Sequence, residues 1–202
     1  MINDDTIGIR RFRPEDVVDL ASATRESMAQ VRKWMVWCRA DHSPADCLEF
    51  IRGCEEDWQS DRRYSFVIHD IAQGTLLGSI SISGIDRAHR MASLGYWVRT
   101  SQTGRGVGSA AVRLAAQFAF EKLRLHRLEL IIARENHGSI RVAENAGAQR
   151  EGLLRRRLML DGRPADALLY SILPSDLVRA PAVRQARGSQ TAIAAELAFG
   201  TA

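Results

Sequence analysis

Between residues 104 and 108 the chain reads Gly104-Arg105-Gly106-Val107-Gly108, three glycines alternating over five residues, and no other stretch restricts the fold as much. An apolar, strand-like run, Leu94-Gly95-Tyr96-Trp97-Val98, precedes it. A helical pattern follows, with Val107, Ala110, Ala111, Leu114, Ala115, Phe118 and Ala119 on one face and Arg113, Gln117 and Lys122 opposite. A glycine-dense turn from strand to helix gathers backbone N–H groups in one concavity, with the positive end of the helix dipole behind them. Such a concavity suits a pyrophosphate.

The segments before this turn predict an antiparallel meander. Thr6–Arg11 reads as a first strand, and Pro14-Glu15-Asp16 starts a helix carrying Val17, Leu20, Ala21 and Thr24 on one face. Val31–Cys38 holds two of the four tryptophans, and Ser43-Pro44-Ala45-Asp46 opens a second helix with Cys47, Phe50, Ile51, Cys54 and Trp58. These form a helical hairpin between the first and second strands. Tyr64–Asp70, Leu76–Ile85 and Met91–Val98 then read as strands joined by short turns. In the middle one, Leu77, Ser79, Ser81 and Ser83 alternate with Leu76, Ile80 and Ile82.

After the glycine turn and its helix, Leu128–Ala133 is an apolar strand, and a strand–helix–strand crossover predicts parallel pairing. Arg134–Gly138 is a loop, Ser139 an expected N-cap, and Gly147 a stop for a short helix from Ile140 to Ala146. Gln149–Leu160 and Ala165–Leu173 flank Asp161-Gly162 as a hairpin. The fold class is therefore α/β with a mixed sheet in one domain, residues 1–174. The Ala-rich residues 175–202 are either a helix packed on a partner, such as a second copy in a homodimer, or disordered.

Charge and cysteine content narrow the partners. The formal net charge is +4, but all basic residues except Lys33 and Lys122 are arginines, scattered among 24 acids. Arg155-Arg156-Arg157 is the one tight cluster, and an exposed strand face explains it without nucleic acid. A modest positive field also draws in an anionic cosubstrate or an acidic protein. Cys38, Cys47 and Cys54 lack C-x-x-C spacing, which argues against a zinc site or a disulfide framework; no metal is expected. No apolar run approaches the ~20 residues of a membrane span, and the acidic start Met-Ile-Asn-Asp-Asp has no signal-peptide core, so a cytoplasmic location is expected.

Two nucleotide chemistries fit the glycines. Gly106-Val107-Gly108-Ser109-Ala110-Ala111 spells G-x-G-x-x-A, with Glu129 placed for a ribose contact, as in dinucleotide domains. The antiparallel meander in front and the single short helix and hairpin behind do not match that architecture. The other is a coenzyme A loop. From Gly95 to Gly147 the chain resembles the GNAT acetyltransferases, through Gly95-Tyr96-Trp97-Val98, Gly104–Gly108, Asn136-x-x-Ser139-x-Arg141 and Asn145-Ala146-Gly147-Ala148. Trp34-x-x-Trp37 and Arg11-Phe12-Arg13-Pro14-Glu15-Asp16 resemble its RimJ/RimL branch, and the likeness extends over residues 7–173. Two positions depart from the family. Thr103 stands where Gln or Arg is usual, with Gln102 beside it, and Ser93 stands where a Glu often serves as general base.

The resemblance implies acetyl-CoA as cosubstrate, held where the strand before the glycines and the strand after the helix splay apart. It assigns the pantetheine arm to backbone groups of Trp97, Val98 and Arg99 and to Asn136. The pyrophosphate falls to Thr103, Gly104, Arg105, Gly106, Val107, Gly108 and Ser109. Ser139 is the implied partner of the leaving thiolate and also touches the cosubstrate, the Val98 amide the oxyanion donor, and Glu135 the remaining candidate base. Trp34, Met35 and Trp37 are expected to wall the acceptor site. With no strong base in the pattern, an α-amine is the easier acceptor. At a pKa of about 7.7–8.0, about a tenth of it is neutral at pH 7, against less than about a thousandth of a lysine at about 10.4. The expected reaction is acetylation of a protein N-terminal amine. Acetylation of a polyamine or antibiotic, or a non-catalytic coenzyme A or dinucleotide module, are the alternatives.

Overall fold

The computed structural model describes residues 2–35, 37, 38 and 43–179. Residues 180–202, which carry most of the Ala-rich tail, lie outside the described residues; within them the chain ends on the helix α5 (Pro174–Arg179).

One eight-stranded sheet organises the chain: β1 (Ile2–Asn3), β2 (Ile7–Arg11), β3 (Tyr64–Asp70), β4 (Leu76–Asp86), β5 (Met91–Val98), β6 (Arg127–Ala133), β7 (Gln149–Leu160) and β8 (Arg163–Ile172). Their order is β1-β2-β3-β4-β5-β6-β8-β7, with only β5 and β6 parallel. The expected meander, crossover and hairpin are all present. The two-residue β1, which periodicity is too short to reveal, is an addition at the edge.

Helices cover both faces. On one, α3 (Val107–Glu121) buries Ala111, Val112, Ala115, Ala116 and Ala119 completely against Phe66, Ile68, Ile80, Ile82 and Leu94. Its alanines allow the close approach, since a small side chain keeps the helix axis near the sheet. On the other, α1 (Val17–Val31) and α2 (Pro44–Gln59) enclose a second core of Phe12, Leu20, Ala23, Ile51, Val67, Leu76 and Trp97, together with the three cysteines. Ser43 and Asp46 form the capping box that starts α2, and the three cysteines are buried and not in disulfides.

The alternation read in β4 is overturned at one place. The β3–β4 register shifts at Ile68/His69, so Leu77 joins Ile80 and Ile82 on the α3 face while Leu76 joins Val67 on the α1–α2 face. An extra residue at a bulge inverts every facing beyond it. Gly78 sits next to this shift at φ 156°, and a Cβ there would lie 2.2 Å from the Trp97 carbonyl oxygen, so the backbones approach only because the side chain is missing.

Candidate active site

The parallel pair opens immediately. Met91, Ala92 and Ser93 pair with Arg127, Leu128 and Glu129, and beyond that β5 and β6 diverge while β6 keeps its pairing with β8 to Ala133. On its other side β5 stays bonded to β4 as far as Val98, and the Arg99 amide donates to Leu77 O at 2.7 Å. Backbone groups alternate along a strand, so the Val98 amide faces the opening between β5 and β6.

The segment leaving β5 is anchored by α1. Glu26 accepts from the Ser101 amide at 2.8 Å and pairs with the Arg99 guanidinium, while Ser27 Oγ accepts from the Thr100 amide. The Ser101 amide and then Arg99 hold the Glu26 carboxyl down at about 2. A short 3-10 turn, Thr100–Gln102, then delivers the chain to Gly104 (φ 76°) and Gly106 (φ 83°), the latter capping α3 in the left-handed region. No side chain caps α3. The amides of its first turn are thus left for a ligand, where the dipole favours an anion.

Helix α4 (His137–Asn145) closes the other side. Asn136, not Ser139, is its N-cap; the Asn136 side chain accepts from the Ser139 amide at 3.1 Å. The Ser109 hydroxyl donates to Val142 O, and a Cβ on Gly108 would meet Val142 at 3.0 Å, so α3 and α4 touch through a glycine. Tyr96 bridges the gap, its hydroxyl donating to Ser139 O at 3.2 Å. Burial pushes the phenol up to about 12, so it keeps its proton at any physiological pH.

Two cavities meet at β5. The first, about 740 Å³, is lined by the glycine loop, Val98, Asn136, Ser139 and Arg141, with Lys33 and Trp34 at one side. The second, about 910 Å³, enters from the α1–α2 face between Thr24, Asp46, Phe50, Arg63, Ser65, Ser79, Ser81 and Trp37. Met35, Tyr96 and Trp97 line both. Among the described residues Thr24 Oγ1 and Ser65 Oγ in the second are buried without a geometric hydrogen-bond partner, although Ser65 lies beside the Cys54 thiol. The Cys54 thiol is itself pushed up by burial to about 11, which keeps it protonated and unreactive.

The structure gathers Val98, Thr103, Gly104, Gly106, Val107, Gly108, Ser109, Glu135, Asn136 and Ser139 around the first cavity. Arg99 departs from the expectation. Its amide is spent on Leu77 and its carbonyl on Gln102, while its guanidinium Nε meets Glu26, so no backbone group of Arg99 is left for a ligand. Likewise Trp97 O is turned against Gly78 in β4. Thr103 Oγ1 bonds Thr100 O, and Arg105 reaches Gln102 Oε1 at 3.3 Å, so both serve the turn itself. Of the tryptophan hairpin, Met35 and Trp37 line the second cavity, with Trp37 tilted on Trp97 at 6.0 Å, whereas Trp34 lines the first. Glu135 is exposed at the rim. Glu129, the dinucleotide candidate, is paired with Arg127 on β6.

The sequence offers no role for Tyr96, and it barely marks the hydroxyl wall of the second cavity. The period-two serines of β4 were its one signal. Among the described residues no group of three or more His, Cys, Asp or Glu is placed to hold a metal, and no helix is long and apolar enough to cross a membrane.

A splayed parallel pair above an uncapped helix start, with a second cavity meeting it across one strand, has the form of a coenzyme A-dependent acyltransferase. Residues 6–149 match the acetyltransferase (GNAT) domain. YdaF of Bacillus subtilis, provisionally named a ribosomal N-acetyltransferase, is 30% identical over 174 residues, 83% of this chain and 91% of that protein. The spermidine N(1)-acetyltransferase of Vibrio cholerae is 28% identical over 139 residues, 69% of this chain and 79% of its own. Mycobacterium smegmatis RimJ, solved in complex with CoA-disulfide, superposes with a TM-score of 0.78 at 29% identity, covering 85% of this chain and 83% of that one. The chain belongs to the GNAT acetyltransferases, in their RimJ/RimL-like part, and is an acetyl-CoA-dependent acetyltransferase.

Proposed function

We propose that the acceptor is the α-amine of a protein N-terminus, delivered through the second cavity to an acetyl-CoA lying in the first. The observation that carries this reading is the charge of the second cavity. Among the described residues its lining holds one carboxylate, Asp46, already engaged with Ser43 at the start of α2, and one guanidinium, Arg63. A polyamine carries several ammonium groups, and their desolvation would demand several carboxylates. A peptide terminus carries one amine, and its backbone and first side chain match hydroxyl and aromatic walls. The unpartnered Thr24 and Ser65 hydroxyls are suited to that first residue.

In this reading the amides of Gly104 to Ser109 bind the pyrophosphate, with Lys33 and Arg141 adding charge beside it. Asn136, past its capping bond, and the open edge of β5 at Val98 hold the pantetheine arm. The Val98 amide stabilises the oxyanion as the amine nitrogen attacks the thioester carbonyl. A C–N bond forms, the C–S bond breaks, and the Ser139 hydroxyl donates a hydrogen bond that steadies the leaving thiolate until it takes a proton from solvent, with Tyr96 holding the Ser139 backbone carbonyl. The amine loses its own proton to water or to Glu135 at the rim. No strong base is needed, because about a tenth of an α-amine is neutral at pH 7.

Thiol release from acetyl-CoA tests the reading: peptides with free N-termini are acetylated and spermidine is not. The reverse result supports the polyamine reading instead, which the spermidine acetyltransferase relative favours.

A further inference from the structure

The floor of the second cavity is the α1–α2 face of the sheet, and the strand register leaves it bare of large side chains. Ser65, Ser81 and Gly95 stand in one row across β3, β4 and β5. Ser79 pairs with Trp97 in the next row on that face, and Ser83 with Ser93 in the row before. Since Tyr64 pairs with Ile82, the residue beside Ser83 is Arg63. Alternation puts Arg63 on the same face as Ser65, and both line the cavity. A lane of serines and a glycine thus runs from Trp97, where the two cavities meet, to Arg63. Its ends are four residues of β5 apart, about 13 Å.

The Arg63 side chain is 47% exposed, and among the described residues its one ion pair is a loose 3.6 Å contact with Asp57. Asp57 is shared with Arg62, which holds it more closely, at 3.0 Å. The fork of Arg63 is therefore largely unspent. The other ionised group on the described lining, Asp46, is engaged with Ser43. An acceptor that fills the lane displaces its water, so what faces Arg63 has to accept hydrogen bonds in place of that water. A carboxylate does so with two parallel charge-assisted bonds, whereas a second ammonium group is repelled.

We infer that Arg63 determines acceptor specificity by pairing with a carboxylate, so that N-termini with Asp or Glu as second or third residue are preferred. The inference rests on the protein N-terminus reading above and names its substrate class. An extended chain advances about 3.3 Å per residue, so the third residue stands about 7 Å along the lane from the first. Its carboxylate and the guanidinium close the remaining distance from opposite sides. An acid several residues further on lies beyond Arg63.

The test uses peptides that differ at one place, Asp against Asn as third residue, and a second pair that differs in the same way at the seventh. Wild type should favour Asp at the third place about tenfold in kcat/KM, through KM, and show no preference at the seventh. R63Q should bring the first ratio to about one, while R63K, a point charge without the fork, should keep it above one. R62Q removes the closer partner of Asp57 and should leave the ratio intact, which separates recognition from a structural role of the Asp57 contacts. The acetyl-CoA dissociation constant of R63Q reports on its integrity. Equal rates for Asp and Asn at the third place in wild type overturn the inference. So does a ratio that survives in R63Q, or an equal preference at the seventh place, which would mark a general positive field. Spermidine acetylation with no peptide modified removes the underlying reading as well, so the two failures are distinguishable.

Discussion

The Tyr96 hydroxyl donates to the Ser139 carbonyl at 3.2 Å, joining the diverging edge of β5 to the first turn of α4 across residues 43 apart in sequence. This one bond fixes the backbone of Ser139, the residue assigned to the leaving thiolate, relative to the amide assigned to the oxyanion. Y96F removes the bond and keeps the ring. It should lower kcat about tenfold with little change in the acetyl-CoA KM, whereas S139A should lower kcat by about a hundredfold. Since the phenol is raised to about 12, the wild-type pH profile should show no limb from Tyr96 below pH 10.

Gly78 makes the β4–β5 contact possible. Adding one methyl group places it 2.2 Å from a backbone oxygen, which cannot swing away as a side chain would. G78A should destabilise the fold by about 2–4 kcal/mol, read as a lower midpoint in urea.

Glu26 links α1 to the turn before the glycine loop, and its carboxyl is lowered from 4.5 to about 2, first by the Ser101 amide and then by Arg99. A group lowered in the folded state contributes stability above its unfolded value and loses it as the pH falls toward the folded one. Wild-type stability should therefore decline between about pH 4.5 and 2, and E26Q should flatten that part of the curve. At neutral pH E26Q should raise the acetyl-CoA KM, because the loop loses its anchor.

Trp37 is 42% exposed and stands tilted against Trp97 at the second cavity. W37A should raise the acceptor KM about five- to tenfold, the loss of an aromatic wall, and leave the acetyl-CoA KM unchanged. A change in thermal midpoint alone would assign Trp37 to the core.

How much of this the sequence discloses differs by residue. The glycine loop is readable because φ values of 76° and 83° at Gly104 and Gly106 admit few other residues, and the run of alanines in α3 follows from its distance to the sheet. Asn136 and Ser139 are readable as a pair three apart. Which of them caps α4 is not, since either side chain can accept a bond at a helix start. The facing of Leu76 and Leu77 is hidden by a bulge that leaves no mark in a period-two pattern. The commitment of Arg99 to Glu26, and of Tyr96 to Ser139, depends on tertiary contacts between residues 73 and 43 positions apart, beyond any local pattern.

The most direct test of the central claim is the position of the acetyl group on a peptide that offers both a free N-terminus and a lysine side chain. With saturating acetyl-CoA at pH 7, fragment masses should place the acetyl group on the α-amine alone, with spermidine in the same mixture unmodified. Acetyl groups on the lysine or on spermidine would contradict the account.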